Sequence, residues 1–191
     1  TNFAFDMALE NIAKILEQRG FEPPGHIDRI LDHTVILAKQ MGITDDEIPN
    51  LRRGVLLHDF GKFIVPEYIQ LKPGALNEHE WELVRNHVNY THEAFLPISI
   101  LRPALEIPYC HHERWNGKGY PRGLSGIEIP LSARIFSVID VWDCLTNDRP
   151  YRKAWTVESV REYLQMNAGS HFDPEVVKVY LNLVRSFREK F

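Results

Sequence analysis

Histidine and aspartate recur in this sequence in a pattern that can hold metal ions. The residues that could converge on such a site are His26, His58, Asp59, His87, His111, His112 and Asp140. Adjacent helical residues point about 100° apart, so His58 and Asp59 cannot chelate one ion as an i, i+4 pair would. The Asp59 carboxylate can instead bridge two cations, while His58 completes the coordination of one of them.

The donor set itself restricts the metal and the chemistry. Imidazole and carboxylate without thiolate favour iron, manganese or zinc over copper(I), calcium or a structural zinc–cysteine site. Between two such cations a bridging water becomes hydroxide near neutral pH and can attack a phosphodiester in line. The cations would also hold the phosphate oxygens and offset the developing charge. The pattern therefore predicts phosphoryl chemistry rather than proton abstraction or acyl transfer.

A further carboxylate stands close in sequence to this set. Glu22 lies four residues before His26 and could act as an additional ligand. Pro23 and Pro24 fix the backbone between them and could turn Glu22 away from the metals. Taken singly, a histidine is more often hydrogen-bonded in the core than bound to metal, and we interpret the remaining histidines in that way: His33, His79, His92 and His171.

Length and composition indicate one globular domain. The 191 residues are 44% apolar, enough for a hydrophobic core. A formal charge of −4 argues against binding to duplex nucleic acid. Cys110 and Cys144 form no metal-binding or disulfide pattern, which predicts a reduced, cytoplasmic protein. The chain begins at Thr1, so we expect it to be a piece of a longer protein with a sensory or receiver domain upstream.

Apolar residues repeat at helical spacing almost throughout, and no segment alternates as a strand would. The sequence therefore predicts an all-α helical bundle. The predicted helices cover residues 5–16, 25–42, 44–61, 77–87, 103–112 and 130–147, and two more begin at Thr156 and Asp173. The capping boxes Thr44-x-x-Glu47 and Asn77-x-x-Glu80 open two of them. On this map His58-Asp59, His87 and His111-His112 lie near the ends of three helices.

Three segments carry a resemblance to a known family. They are HDFGK from His58, HHERWNGKGYP from His111 to Pro121, and Asp140-x-x-Asp143 followed by DRPYR. In this order they resemble the HD-GYP subgroup of HD-domain phosphohydrolases, from about Glu22 to Pro174. The resemblance implies an HD-domain helical bundle that hydrolyses cyclic di-GMP to linear pGpG, and on to GMP where both phosphodiesters are cut, with two or three iron or manganese ions.

Carried over to this chain, the resemblance assigns roles to individual residues. The metal ligands are Glu22, His26, His58, Asp59, His87, His111, His112 and Asp140, with Glu22 matching the acidic position for a third metal. Lys62 matches a lysine beside the reacting phosphate, and with Asp59 it is the expected catalytic residue. Arg149 and Arg152 match basic residues that hold the substrate phosphates.

The Gly-rich segment from Arg114 to Gly126 is expected to line the site. Gly117 and Gly119 permit unusual backbone angles, and the loop presents Tyr120 beside the double histidine as a substrate-binding residue. The resemblance also implies that this loop docks with diguanylate cyclase (GGDEF) domains. Asn116 and Thr91 depart from the family pattern, and neither is a predicted ligand.

The predicted division places an N-terminal linker or signalling helix at residues 1–21 and the phosphodiesterase domain at residues 22–191. The first helix could pair two chains as a homodimer. Two alternatives to a cyclic di-GMP phosphodiesterase stay open. One is a catalytically weak receptor or docking module, and the other is a phosphodiesterase that prefers 3′,3′-cGAMP. A phosphohydrolase acting on other nucleotides is disfavoured by the GYP loop and DRPYR.

Overall fold

The computed structural model of the chain describes residues 2–20, 22–149 and 152–188. Within those residues it contains three short 3₁₀ helices, ten α-helices and no extended strand, which confirms the all-α prediction. The α-helices are α1 (Asn2–Gln18), α2 (His26–Gln40), α3 (Ile48–Leu57), α4 (Glu67–Gln70), α5 (Glu78–Arg85), α6 (His87–Phe95), α7 (Glu106–Cys110), α8 (Leu131–Thr146), α9 (Val157–Met166) and α10 (Pro174–Arg188). The 3₁₀ helices are Phe60–Phe63, Ser99–Ala104 and Gly126–Glu128.

Most helix boundaries follow the signals in the sequence. The Asn77 side chain accepts a hydrogen bond from the Glu80 amide, and the Glu80 carboxylate accepts one from Asn77, which confirms that capping box. Thr156 caps α9 in the same way through the Ser159 amide. Gly42 lies just after the end of α2 and has a φ of 89°, a conformation that glycine adopts without steric cost.

Three predicted boundaries near the histidines are wrong. The third helix begins at Ile48 and ends at Leu57, and the chain then turns into the 3₁₀ helix Phe60–Phe63 instead of continuing to Gly61. His87 is the first residue of α6 rather than the end of the preceding helix. The segment starting at Pro103 divides into a 3₁₀ helix and α7. Local sequence permits a continuous helix in these places, but tertiary contacts determine where the helix ends.

The core lies between α2 and α8, which pack against each other along their length. Both helices bury an apolar face, and α3, α9 and α10 add side chains around it. The fully buried side chains at its centre include Ile27, Ile30, Leu37, Ile135, Phe136, Ile139 and Tyr180. Because α2 carries His26 and α8 carries Asp140, this contact brings two of the predicted ligands together.

Helix α1 shares this core. Leu9 and Ala13 are buried within it, and the Asp6 carboxylate accepts two hydrogen bonds from Arg53 of α3. The linker or signalling role of residues 1–21 stays a prediction, although the helix packs on the bundle along one face. No helix in the described part of the chain is both long enough and apolar enough to cross a membrane.

A close backbone approach fixes the turn after His58-Asp59. A Cβ atom placed on Gly61 would lie 2.0 Å from the His87 carbonyl oxygen and 2.9 Å from its Cα. The Gly61 amide donates to Thr91 Oγ1, which in turn donates to the same carbonyl. Gly61 thus allows the segment after Asp59 to touch the first turn of α6.

We expect Gly61→Ala to lower the free energy of unfolding by about 3 kcal/mol, because the methyl group must displace backbone atoms. Gly20→Ala is the control, since nothing lies within 4 Å of a Cβ there and only the φ of 76° is unfavourable. That control should cost about 1 kcal/mol. Urea denaturation measures the free energy of unfolding of both variants. An equal loss of this free energy in Gly61→Ala and Gly20→Ala would show that the approach of Gly61 to His87 is not tight.

Candidate metal centre

The structure brings six of the predicted ligands into two groups of three. One group comprises His26, His58 and Asp140, and the other comprises His87, His111 and His112. Within each group one potential ligand atom from every residue lies within 4.8 Å of the others. Each group has the donors of a site for one divalent cation.

Asp59 lies between the two groups and faces both. Its Oδ2 atom is 3.1 Å from Nε2 of His58, and its Oδ1 atom is 3.4 Å from Nε2 of His87. One carboxylate oxygen therefore points to each group, as expected of a bridging ligand between two cations.

Helix ends position most of these side chains. His58 and His111 follow directly after the last residues of α3 and α7, whereas His26 and His87 are the first residues of α2 and α6. Asp140 is the exception and lies inside α8. Residues at helix ends can converge on one point without occupying the packed middle of the bundle. The centre thus forms where four helix termini meet the side of α8.

Each of four histidines is oriented through its Nδ1 atom. The partners are Asp143 Oδ2 at 2.7 Å for His26, the Val55 carbonyl at 2.7 Å for His58, the Val84 carbonyl at 2.7 Å for His87 and the Ile107 carbonyl at 3.1 Å for His111. A carbonyl or carboxylate accepts the Nδ1 proton, so the lone pair of a neutral ring lies on Nε2. Metal-binding histidines are oriented by partners of this kind.

The opposite ring nitrogens have no such partners. Nε2 of His26, His58, His87 and His111 is buried and makes no hydrogen bond to any residue that the structure describes. The 3.1 Å approach of His58 Nε2 to Asp59 lacks the alignment of a hydrogen bond. A buried polar atom without a partner is unfavourable. Two of these four histidines belong to each group, which fits one bound divalent metal in each.

The side chains of the two groups differ in the direction of their pKa shifts. Burial lowers the pKa of His111 and His112 well below the ordinary value, and the neighbouring histidines lower it further. Both rings are therefore neutral, as metal ligands must be. Burial also lowers the pKa of His58, but Asp59 outweighs it and raises that pKa to about 9, so a metal must displace a proton from this ring when it binds. Burial raises the pKa of Asp140.

Cations surround the carboxylates on one side of the centre. Lys62 Nζ lies 2.5 Å from Asp59 Oδ2 and 2.6 Å from Glu22 Oε1, and Arg149 Nη1 lies 2.8 Å from Glu22 Oε2. Burial raises the pKa of Asp59, but His58 and Lys62 outweigh it and hold that pKa well below the ordinary value. Asp59 is therefore ionised.

Glu22 belongs to this cluster despite the two prolines that follow it. Its carboxylate is buried, and Oε2 lies 3.9 Å from Nε2 of His26. Burial raises its pKa, but Lys62 and other neighbouring cations outweigh burial and lower it. Pro23 and Pro24 thus leave Glu22 facing the centre, where it contacts Lys62 and Arg149. Its role as a ligand for a third metal stays a prediction.

Arg152 and Tyr120 occupy different surroundings. The Arg152 guanidinium donates to the carbonyls of Cys144, Leu145 and Lys153, so it satisfies the end of α8. These carbonyl partners give no support to the predicted contact between Arg152 and the substrate phosphates. Tyr120 stacks on His112 with ring centroids 4.8 Å apart, next to the second histidine group. Pro150 and Tyr151 of the DRPYR segment lie outside the described residues.

The four remaining histidines lie in different environments. His33 Nδ1 lies 2.7 Å from the Tyr180 hydroxyl, in agreement with its structural interpretation. His92 stacks on Tyr109 and His171 on Phe172, each at 4.1 Å between ring centroids. His79 is exposed, so its interpretation as a core residue was wrong.

Glu113 organises the Gly-rich loop, a role that the sequence analysis missed. Its buried carboxylate accepts hydrogen bonds from the amides of Arg122 and Leu124. A Cβ atom on Gly119 would lie 2.3 Å from the Arg114 amide nitrogen, so the loop folds back onto its own start. The only sequence signal for Glu113 is its position directly after the double histidine.

Asp143 was the other missed residue. It lies in the Asp140-x-x-Asp143 segment, and its buried carboxylate accepts hydrogen bonds from both His26 and Arg29. The i, i+3 spacing from Asp140 places it on the same side of α8. Asp143 therefore positions the His26 ring without facing the centre itself.

We expect Asp143→Asn to weaken manganese binding about tenfold, because the partner that orients His26 loses its charge. Asp28→Asn is the matched control on the same helix as His26. The Asp28 side chain is 64% exposed and pairs with Lys14. Isothermal titration calorimetry on the folded, metal-free proteins measures the dissociation constants. Unchanged affinity in Asp143→Asn would exclude the positioning role.

Comparison with known proteins identifies the family. The family model described as HD domain matches residues 10–176. The chain is 37% identical over 173 residues to the 3′3′-cGAMP-specific phosphodiesterase 2 of Vibrio cholerae, with 90% of this chain and 33% of that protein covered. It is 35% identical over 180 residues to the cyclic di-GMP phosphodiesterase response regulator RpfG of Xanthomonas campestris, with 91% and 46% covered.

Among solved structures, a cyclic GMP-AMP specific phosphodiesterase of Vibrio cholerae has the same fold. The TM-score is 0.75 at 19% identity, and the match covers 96% of this chain and 49% of that chain. The chain thus spans between a third and a half of the length of these three proteins. The chain belongs to the HD domain family, and the predicted HD-GYP resemblance is confirmed.

Proposed function

We propose that this chain is a metal-dependent phosphodiesterase that hydrolyses cyclic di-GMP to linear pGpG, and on to GMP where both phosphodiesters are cut. The observation that carries the proposal is the position of Asp59, whose two oxygens face two separate groups of candidate ligands, one of two histidines and an aspartate and the other of three histidines. Two adjacent cations are typical of phosphodiester hydrolysis. The names of the relatives support a cyclic dinucleotide as the substrate.

Iron or manganese fits the donors best. One group offers imidazole nitrogen and carboxylate oxygen, the other offers imidazole nitrogen alone, and neither contains a thiolate. When bound, two such metals supply an activated water and hold the phosphate oxygens of the substrate. His26, His58 and Asp140 would hold one metal, and His87, His111 and His112 the other. Asp59 would bridge them, and Glu22 would serve a third.

The cations beside Asp59 have their own part in the reaction. Lys62 is 23% exposed, so its ammonium group can meet a substrate phosphate at the open side of the centre. Burial lowers the pKa of Lys62, but Asp59 and Glu22 outweigh it and raise that pKa, which keeps the side chain charged. A fixed positive charge there stabilises negative charge that develops on the phosphate or leaving oxygen. Arg149 holds Glu22 and could bind a second phosphate.

The direct test is hydrolysis by the manganese- or iron-loaded protein. Cyclic di-GMP and 3′,3′-cGAMP are incubated separately, and the products are separated by chromatography. The proposal predicts linear dinucleotide, with GMP if both phosphodiesters are cut. Faster hydrolysis of 3′,3′-cGAMP would favour the alternative that the names of the Vibrio cholerae relatives suggest. Binding without hydrolysis would favour the receptor role.

Several partners belong to the same proposal. We expect a sensory or receiver domain in the full-length protein, docking of a diguanylate cyclase domain on the Gly-rich loop, and a homodimer through α1. A cytoplasmic location is expected because Cys110 and Cys144 are both free thiols. Size-exclusion chromatography of the wild type and of Phe3→Glu, a variant at an exposed position of α1, tests the dimer, and an unchanged number of chains per particle would exclude pairing through α1.

A further inference from the structure

A cleft of about 270 Å³ opens beside the candidate centre. Its lining includes three of the candidate ligands, His111, His112 and Asp140, so whatever fills the cleft lies next to the reacting phosphate. The lining also includes Trp81, Arg85 and Arg114, which take no part in the chemistry proposed above.

Trp81 and Arg85 form an exposed surface of α5 that lines the cleft. The helix contributes no buried side chain to the core, and a capping box holds its first turn. Trp81 and Arg85 lie four residues apart, hence on one face, and the guanidinium carbon is 5.7 Å from the centre of the indole ring. Trp81 is 44% exposed. An exposed indole at a cleft is available to stack on a planar ligand, and purine bases are such ligands.

Two arginines beside Trp81 in the lining of the cleft, Arg85 and Arg114, supply hydrogen-bond donors. Arg85 pairs with the exposed carboxylate of Glu78 at 3.2 Å. Arg114 is exposed, and its guanidinium at the cleft can donate hydrogen bonds to a ligand. Arginine donors complement O6 and N7 of guanine, which both accept hydrogen bonds, whereas adenine presents an amino donor at the corresponding position.

We propose that Trp81, Arg85 and Arg114 form the subsite for one guanine base of the substrate. The indole stacks on the base, and the arginine donors face its acceptor edge. The inference rests on the proposed function, because it requires a guanine-containing nucleotide with its phosphate at the metal centre. It adds a source of base recognition to a centre whose metals would hold only the phosphates of the substrate.

The test compares Trp81→Ala, Arg114→Ala and the control Glu82→Gln in manganese-loaded protein. Glu82 lies on the same helix, is exposed and does not line the cleft. Binding of cyclic di-GMP is measured by calorimetry. Hydrolysis is measured with cyclic di-GMP and with bis(p-nitrophenyl) phosphate, a phosphodiester that has no base.

Trp81→Ala should weaken cyclic di-GMP binding about tenfold, as loss of one stacking contact does, and raise KM by a similar factor. Arg114→Ala should reduce the preference for cyclic di-GMP over cyclic di-AMP in binding about tenfold. Hydrolysis of bis(p-nitrophenyl) phosphate should change less than about twofold in both variants, and Glu82→Gln should match the wild type in every measurement.

The outcomes separate this inference from the proposed function. Wild-type hydrolysis of cyclic di-GMP with unchanged binding in Trp81→Ala and Arg114→Ala would overturn the subsite and leave the function intact. Equal losses on both hydrolysis substrates would also overturn it, since they indicate damage to the centre. Wild-type binding without hydrolysis, weakened by both substitutions, would support the subsite and contradict the enzyme. No binding of cyclic di-GMP to the wild type would overturn both.

Discussion

Asp59→Ala is expected to abolish hydrolysis and metal retention together. Both oxygens of this carboxylate face a ligand group, so its removal leaves each group with three donors and no bridge between them. Two adjacent cations repel each other without a bridging anion. We expect fewer than two metals per chain and a fall in kcat of at least about a thousandfold. Elemental analysis and the cyclic di-GMP assay measure the two effects.

Asp148→Ala is the control for this variant, because Asp148 is exposed and pairs with the exposed Lys153. It should keep the metal content and activity of the wild type. The thermal unfolding of Asp59→Ala shows whether it is folded. A folded Asp59→Ala protein with full metal content and ordinary turnover would place the centre elsewhere in the molecule.

Lys62→Met should lower kcat about a hundredfold while the metal content stays unchanged. The substitution removes the charge but keeps a side chain of similar length. The Lys62 side chain contacts the carboxylates of Asp59 and Glu22 through its ammonium group, and bound metals would neutralise those carboxylates in its place. The combined measurement of kcat and metal stoichiometry therefore separates this residue from the ligands.

Lys62→Arg tests whether charge is what matters at this position. It should recover part of the lost rate, because a guanidinium keeps the positive charge but has a different shape. Loss of metal in Lys62→Met would instead assign Lys62 a structural role in holding Asp59 and Glu22. Equal rates in the methionine variant and the wild type would remove Lys62 from the reaction.

The candidate ligand set could be proposed from the sequence because it depends on residue type. Histidine and aspartate are the usual nitrogen and oxygen donors, and the adjacency of His58 and Asp59 led to the bridging role that the positions of the two Asp59 oxygens fit. Helix starts at His26 and Thr156 were also predictable, because glycine and threonine at those boundaries act locally.

The orientation of the ligands was not accessible in the same way. His58, His87 and His111 are held by main-chain carbonyls three or four residues earlier, and every residue type supplies such a carbonyl. Similarly, the early end of α3 depends on the contact between Gly61 and His87, which are far apart in sequence. Asp143 could have been found, since it follows Asp140 at a spacing that shares a helix side.

The most direct test of the paired centre measures metal stoichiometry and hydrolysis in one anaerobic preparation. The protein is loaded with manganese or iron, passed through a desalting column, analysed for bound metal and then incubated with cyclic di-GMP. The account predicts at least two metals per chain and formation of linear pGpG, both lost after treatment with a chelator. Rapid hydrolysis by chelator-treated protein without bound metal, or a single metal at full activity, would contradict it.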